Sequence, residues 1–135
     1  MSAVHRRSRN SECKHSHAPG KTFVFILCPP FSGSTMLLKL LSSSPRAATF
    51  LRSSRHNGEA QFIDEISNLM RDGTDGFTGK HWDPTYRIPW HAVGPVMERY
   101  WHLDGGDKSV FVEKSPPNTC RAARIWEYWR DRKST

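Results

Sequence analysis

No apolar run in this chain approaches the ~20 residues that a bilayer-spanning helix needs; the longest, Phe23 to Cys28, has the length of a strand. Residues 1–20 are polar and basic and contain no apolar segment of the kind a secretory signal carries. Cysteine is scarce. Cys13, Cys28 and Cys120 form an odd set without a CxxC pair, which argues against a disulfide framework. Cys13 with His15 and His17 matches no common zinc spacing and has no evident fourth ligand, so no metal is expected. Composition also excludes collagen-like and coiled-coil chains. Acid is the minority charge: 13 Asp and Glu stand against 20 Lys and Arg, a formal net charge of +7. That excess suits an anionic partner such as a nucleotide, a nucleic acid, a phospholipid surface or a sulfated glycan. It gathers at the ends, at His5, Arg6, Arg7 and Arg9 and again at Arg121, Arg124, Arg130, Arg132 and Lys133. A solvated surface with a basic tail is the plainer reading of the same residues.

What is present is one domain's worth of chain. At 135 residues it can hide about two-thirds of its unfolded surface. Residues 1–21 lack apolar periodicity and read as a disordered basic arm, and residues 22–135 as the folded part. Thr22 to Cys28 is β-branched and aromatic and predicts a strand buried on both faces. Pro29, Pro30, Ser32 and Gly33 predict a turn. Met36, Leu37, Leu40 and Leu41 then give the apolar face of a helix from about Ser34 to Ser43, stopped by Pro45. Ala48 to Leu51 is a candidate second strand. Asn57 or Gly58 can cap a helix whose stripe is Phe62, Ile63, Ile66, Leu69 and Met70. Residues 72–90 read as a loop with three glycines and two prolines. Val93, Val96, Met97, Tyr100 and Trp101 mark a further helix, entered near Gly94-Pro95. Ser109 to Glu113 predicts a short strand. Ser115 can cap a last helix that starts at Pro116 or Pro117 and buries Ala122, Ile125, Trp126 and Trp129.

Strands that alternate with helices predict an α/β domain whose parallel sheet is flanked by helices. Two clear strands are few for such a sheet. The chain stops after a helix that should lead into another strand, so it is expected to be the N-terminal half of a larger domain that requires a further C-terminal segment. A half sheet would leave an unpaired edge and apolar surface.

The turn after the first strand has the geometry that binds phosphate. The first-turn N–H groups of a helix lack intrahelical partners, and its dipole places about half a positive charge there. Gly33 lets backbone approach an oxyanion, and Ser32, Ser34 and Thr35 add hydroxyls. An ordinary strand–turn–helix junction explains the same residues equally well. The segment is not a Walker A loop: Cys28 stands at the first glycine and Ser34 at the lysine. Lys21-Thr22 after Gly20 is a second false match, because it precedes a strand. A GxGxxG dinucleotide fingerprint is absent.

The segment FVFILCPPFSGSTMLLKLLSSSP resembles the donor loop of sulfotransferases that use 3′-phosphoadenosine-5′-phosphosulfate (PAPS). In that family a strand runs into Pro, then Arg or Lys, then Ser-Gly, then Thr or Ser, then Thr, followed by a Leu-rich helix. VFVEKSPPNTCRAARI at 110–125 is similar to the Glu-Lys-Ser/Thr-Pro segment of the carbohydrate and tyrosine-protein types. Gly58-Glu59-Ala60-Gln61, with Trp-Asp-Pro at 82–84, is a weaker third match. The resemblance spans roughly residues 22–130 and implies a P-loop-like fold. It implies transfer of a sulfuryl group from PAPS to an acceptor hydroxyl of a glycan, a tyrosine or a small alcohol, without a metal. Pro30, Phe31, Ser32, Gly33, Ser34 and Thr35 would hold the donor. Phe31 departs from the family, which has a cation there, and the family's 3′-phosphate site would fall beyond Thr135. Both departures imply that this chain alone is inactive.

Sulfuryl transfer asks the protein for positioning and charge stabilisation, as phosphoryl transfer does. By the resemblance Glu59 is the candidate general base, with His56 a weaker one; a dipole-favoured Glu at a helix start is the plainer reading. Lys114, at the end of a central strand, is the candidate cation toward the donor's bridging oxygen. A solvent-facing lysine paired with Glu113 is the alternative. His81, Trp82 and Trp90 are candidates for an acceptor wall, with core packing the alternative for Trp90. Two other functions compete: a non-catalytic anion-binding or interaction protein of sulfotransferase ancestry, and a basic nucleic-acid-binding module. For the last no RNP, zinc-finger or helix-turn-helix pattern is present, and no specific nucleic acid is expected.

Overall fold

The computed structural model describes residues 20–70, 82–130 and 132. All of the expected arm except Gly20 and Lys21, the Cys13-His15-His17 group and His81 lie outside them. The chain is mixed α/β: a small parallel sheet of three strands flanked by helices. Element order is β1 (Thr22–Phe25), α1 (Ser34–Ser42), β2 (Ala47–Ala48), a 3-10 turn (Ala60–Phe62), α2 (Asp64–Met70), α3 (Trp90–Gly105), β3 (Val110–Glu113), a second 3-10 turn (Pro116–Arg121) and α4 (Ala122–Trp129). The strand order is β1-β3-β2. Thr22 is level with Val110 and Phe25 with Glu113, while Ala47 is level with Val110 on the other side. β3 is therefore central, which carries its last residue Glu113, and Lys114 just after it, into the middle of the sheet's end. No helix of the described residues is long and apolar enough to cross a membrane.

One face of the sheet carries the larger core. Trp101 lies fully buried at its centre, stacked on Phe50 at 4.8 Å and on Phe111 at 5.4 Å. Its indole N–H donates to the carbonyl of Val112 at 3.0 Å, so the burial leaves no orphaned donor. Ile63, Ile66, Met70, Val93, Met97, Ile125 and Trp129 complete the layer. Of the stripe expected on the second helix, Ile63, Ile66 and Met70 point inward, while Phe62 is half-buried beside His56 and Leu69 is exposed; the stripe expected on α3 points inward. The opposite face holds a small cluster around Leu38, Ala47 and Val112.

Several boundaries differ from the sequence expectations, each for a physical reason. β1 is shorter than Thr22–Cys28 and half-buried. Ile26 still donates to the carbonyl of Glu113 at 2.9 Å, and the chain then bends into the proline turn. Among the described residues β1 pairs on one side, with β3. β2 is Ala47–Ala48, because Thr49–Leu51 turns away and Ser54 N–H closes on the Phe50 carbonyl. Asn57 and Gly58 cap no helix. Both have positive φ, 50° and 71°, and reverse the chain into the 3-10 turn. α3 begins at Trp90, where the Pro89 carbonyl accepts from Ala92 and Val93. Pro95 sits inside it on the exposed side, where water can satisfy the His91 carbonyl.

Two expected apolar faces are buried only in part. α1 buries Ser34 and Leu38 and turns Met36, Leu37 and Leu40 outward, Met36 to 79% exposure. On α4, Ile125 and Trp129 are buried but Ala122 and Trp126 are exposed. Trp126 lines an open groove of about 260 Å³ with Phe25 and Leu27, beside the outer edge of β1.

α3 ends against β2 in close contact. A Cβ on Gly105 would lie 2.3 Å from the Cβ of Ala48, which the strand backbone holds in place. Gly105→Ala is therefore expected to destabilise by about 1–3 kcal/mol through overpacking, outweighing the ~0.5–1 kcal/mol that alanine gains within a helix. Urea unfolding of the two proteins measures this, and an unchanged or raised midpoint would refute the close contact.

Candidate functional site

β1 delivers its exit turn to the C-terminal end of the parallel sheet, and α1 starts there. The turn needs left-handed backbone: Phe31 has φ 58° and Gly33 φ 81°. Gly33 adopts that conformation without cost, while Phe31 is a bulky residue in an unusual one. Gly33 N-caps α1 and its carbonyl accepts from Met36 and Leu37 at 3.0 and 3.3 Å. As at any helix start, the first-turn N–H groups of Ser34 and Thr35 lack intrahelical partners. Phe31 is 96% exposed.

The reversal at Asn57 and Gly58 brings Glu59 back over this loop. Glu59 is buried at the start of the 3-10 turn, its backbone N–H on the His56 carbonyl and its own carbonyl accepting from Ser54 Oγ at 2.7 Å. Lys114 arrives from β3. Its Nζ lies 2.6 Å from Glu59 Oε1 and donates to Thr35 Oγ1 at 3.2 Å. Gln61 donates to the other Glu59 oxygen at 2.6 Å. Lys114 is neither solvent-facing nor paired with Glu113; it bridges the loop 30–35 and the Glu59 turn, with its side chain 3% exposed.

Pro30, Phe31, Ser32, Gly33, Ser34, Thr35, Glu59 and Lys114 all line one cavity of about 140 Å³, and so do His56 and Trp82. The sequence-predicted residues thus converge, although four separate segments supply them. Trp90 does not join them; it packs on Tyr128 and Trp129. Trp82 is carried by a braced loop. Arg121 Nη2 donates to the Asp83 carbonyl at 3.3 Å and Arg124 to the Tyr86 carbonyl at 3.2 Å. Hydrogen bonds from the Thr85 hydroxyl and N–H hold the Asp83 carboxyl below its usual pKa range.

Behind the cavity stands a residue that sequence reasoning missed as a site element. Glu113 is completely buried and accepts from Ala60 N–H at 3.2 Å, from Asn118 Nδ2 at 2.5 Å and from the Ser115 hydroxyl. Burial pushes its carboxyl up to about 7, and the nearby Glu59 pushes the same way. The Ser115, Ala60 and Asn118 hydrogen bonds oppose that shift. A carboxylate at the last inward position of a strand was its one signal in the sequence. Asn57 and Pro116 also line the cavity without having been singled out.

Chemically, the site offers a helix start, hydroxyl groups, an ammonium and a carboxylate lining one cavity. Each Glu59 oxygen takes one internal hydrogen bond and retains acceptor capacity for another. Among the described residues no three His, Cys, Asp or Glu are placed to hold a metal ion. No protein-family model, curated protein or solved structure matches this chain.

Proposed function

We propose that this chain carries a sulfotransferase-like site on a P-loop-like sheet, with PAPS as the sulfuryl donor and a hydroxyl compound as acceptor. The supporting observation is convergence. The loop 30–35, Glu59 and Lys114 resemble family motifs far apart in sequence, and they line one cavity with Lys114 bonded to both Thr35 and Glu59. The donor's phosphosulfate supplies the transferable group. Its anionic oxygens suit the Ser34 and Thr35 N–H groups, the loop hydroxyls and Lys114, and Gly33 leaves open space before the loop, since a Cβ there would meet nothing within 4 Å. In the reaction the acceptor oxygen forms a bond to sulfur as the bridging S–O bond breaks. Glu59 takes the acceptor's proton, and Lys114 faces the oxygen that gains charge. Trp82 and His56, on the cavity wall, would contact the acceptor.

A non-catalytic anion-binding protein of the same ancestry is the second reading. The observations that favour it are Phe31 in place of the loop cation and the engagement of Lys114 by Glu59.

Calorimetric titration of the purified chain with adenosine 3′,5′-bisphosphate at low salt tests the site. Micromolar binding that Gly33→Val weakens at least about tenfold, because valine resists φ 81°, would support the site and show that it holds the nucleotide without the family's 3′-phosphate residues. No binding by a folded sample would sink the proposal. Binding without sulfuryl transfer to any hydroxyl compound would select the second reading, and equal salt-dependent binding of unrelated DNA would point to a nucleic-acid module.

A further inference from the structure

Glu113 touches nothing in the cavity, yet it is the most heavily hydrogen-bonded carboxylate of the described residues. It ends β3, one residue before Lys114. Its Oε1 accepts from the N–H of Ala60, one residue after Glu59, and its Oε2 accepts from Asn118 in the turn that follows. The Ser115 hydroxyl closes the same group. One buried side chain thus joins the segment carrying Lys114 to the segment carrying Glu59, across a sequence separation of 53 residues. The 3-10 turn over Ala60–Phe62 is short and belongs to no strand, so the sheet does not place Glu59 directly.

We infer that Glu113 is a positioning residue: its carboxylate fastens the Glu59 turn to the end of β3 and so sets the Glu59–Lys114 contact in the cavity. The inference rests on the proposed function for its meaning, but its geometry is testable separately. Removing the carboxylate strands the Ala60 N–H and the Asn118 amide without a buried acceptor, and the turn then opens toward water to satisfy them. Lys114 would lose its cover.

The experiment is competitive acetylation of the full chain with acetic anhydride, read by mass spectrometry as Lys114 labelling relative to exposed Lys39. In the unaltered protein Lys114 should label slowly. Glu113→Ala should raise its relative rate about tenfold. Glu113→Gln keeps the shape and one acceptor oxygen, so it should raise the rate less. Gly105→Ala, at the contact of α3 with β2, serves as a control for general loosening. If Glu113→Ala does not fold, Glu113→Gln against the same control decides. Lys114 labelling no faster than in the control would overturn the inference. Failure of the unaltered chain to bind adenosine 3′,5′-bisphosphate would instead sink the functional reading, leaving the labelling result to judge the tether. Where transfer is measurable, Glu113→Gln should lower kcat while leaving the KM for donor near its original value, because the loop 30–35 does not contact Glu113.

Discussion

Lys114→Met is expected to remove at least about 10²–10³ of any sulfuryl-transfer rate and to destabilise the fold by about 3–5 kcal/mol. Both effects follow from one arrangement. The ammonium lies 2.6 Å from Glu59 Oε1, and the two side chains are 3% and 7% exposed. A surface ion pair would contribute at most about 1 kcal/mol. Here the partner left behind is a buried carboxylate that retains one side-chain donor, from Gln61. The cost is therefore that of an uncompensated buried charge, not the net value of the pair. The double variant Glu59→Gln with Lys114→Met should recover most of the stability and none of the activity. Urea unfolding of the four proteins, with transfer assays alongside, completes the cycle. Equal stability of Lys114→Met and the unaltered protein would show the pair to be solvated.

The parts of this site that local sequence could place are those set by chain direction and turn chemistry. A β-branched run ending in Pro-Pro, followed by Ser-Gly-Ser-Thr and a leucine-rich helix, fixes a strand, a turn and a helix start whatever else the chain does. Lys114 was legible from its place at the end of the strand run Ser109–Glu113, in the Glu-Lys-Ser-Pro segment. What local sequence does not carry is which face of an element meets a partner. Met36, Leu37 and Leu40 form as good an apolar stripe as Leu38 and Leu41. The turn at Gly33 points Ser34 and Leu38 at the sheet, and it leaves the richer stripe outside. Trp126 and Trp129 are likewise three apart on α4, and the packing of Phe23 and Phe25 against Trp129 decides between them. Glu113 was least legible of all. Its role depends on Ala60, Ser115 and Asn118 meeting it, and the Ala60 contact crosses 53 residues that no local pattern spans.

If the proposed function holds, Phe31→Arg should raise any sulfuryl transfer, by up to about 10²–10³ for a loop cation that acts as an electrostatic contact of ordinary strength. Phe31 lines the cavity yet is 96% exposed, so its ring contributes little burial and its loss should change stability by under about 0.5 kcal/mol. Backbone strain does not separate the two residues, because φ 58° is as unusual for arginine as for phenylalanine. The contrast is electrostatic. Lys114 is engaged by Glu59, and the described cavity lining holds no other lysine or arginine. An arginine at position 31 would add a second cation at the mouth, one that brings its own charge without drawing on the Glu59–Lys114 pair. Donor affinity and rate should then respond differently. A contact made equally to bound donor and transition state tightens binding alone, whereas one that strengthens as charge develops raises kcat. Measuring adenosine 3′,5′-bisphosphate binding and transfer on the same preparation separates these. Tighter binding without faster transfer would place position 31 on the donor's resting charge only. An unchanged rate and affinity would mean that the loop does not face the donor, and the second, non-catalytic reading would then be the better one.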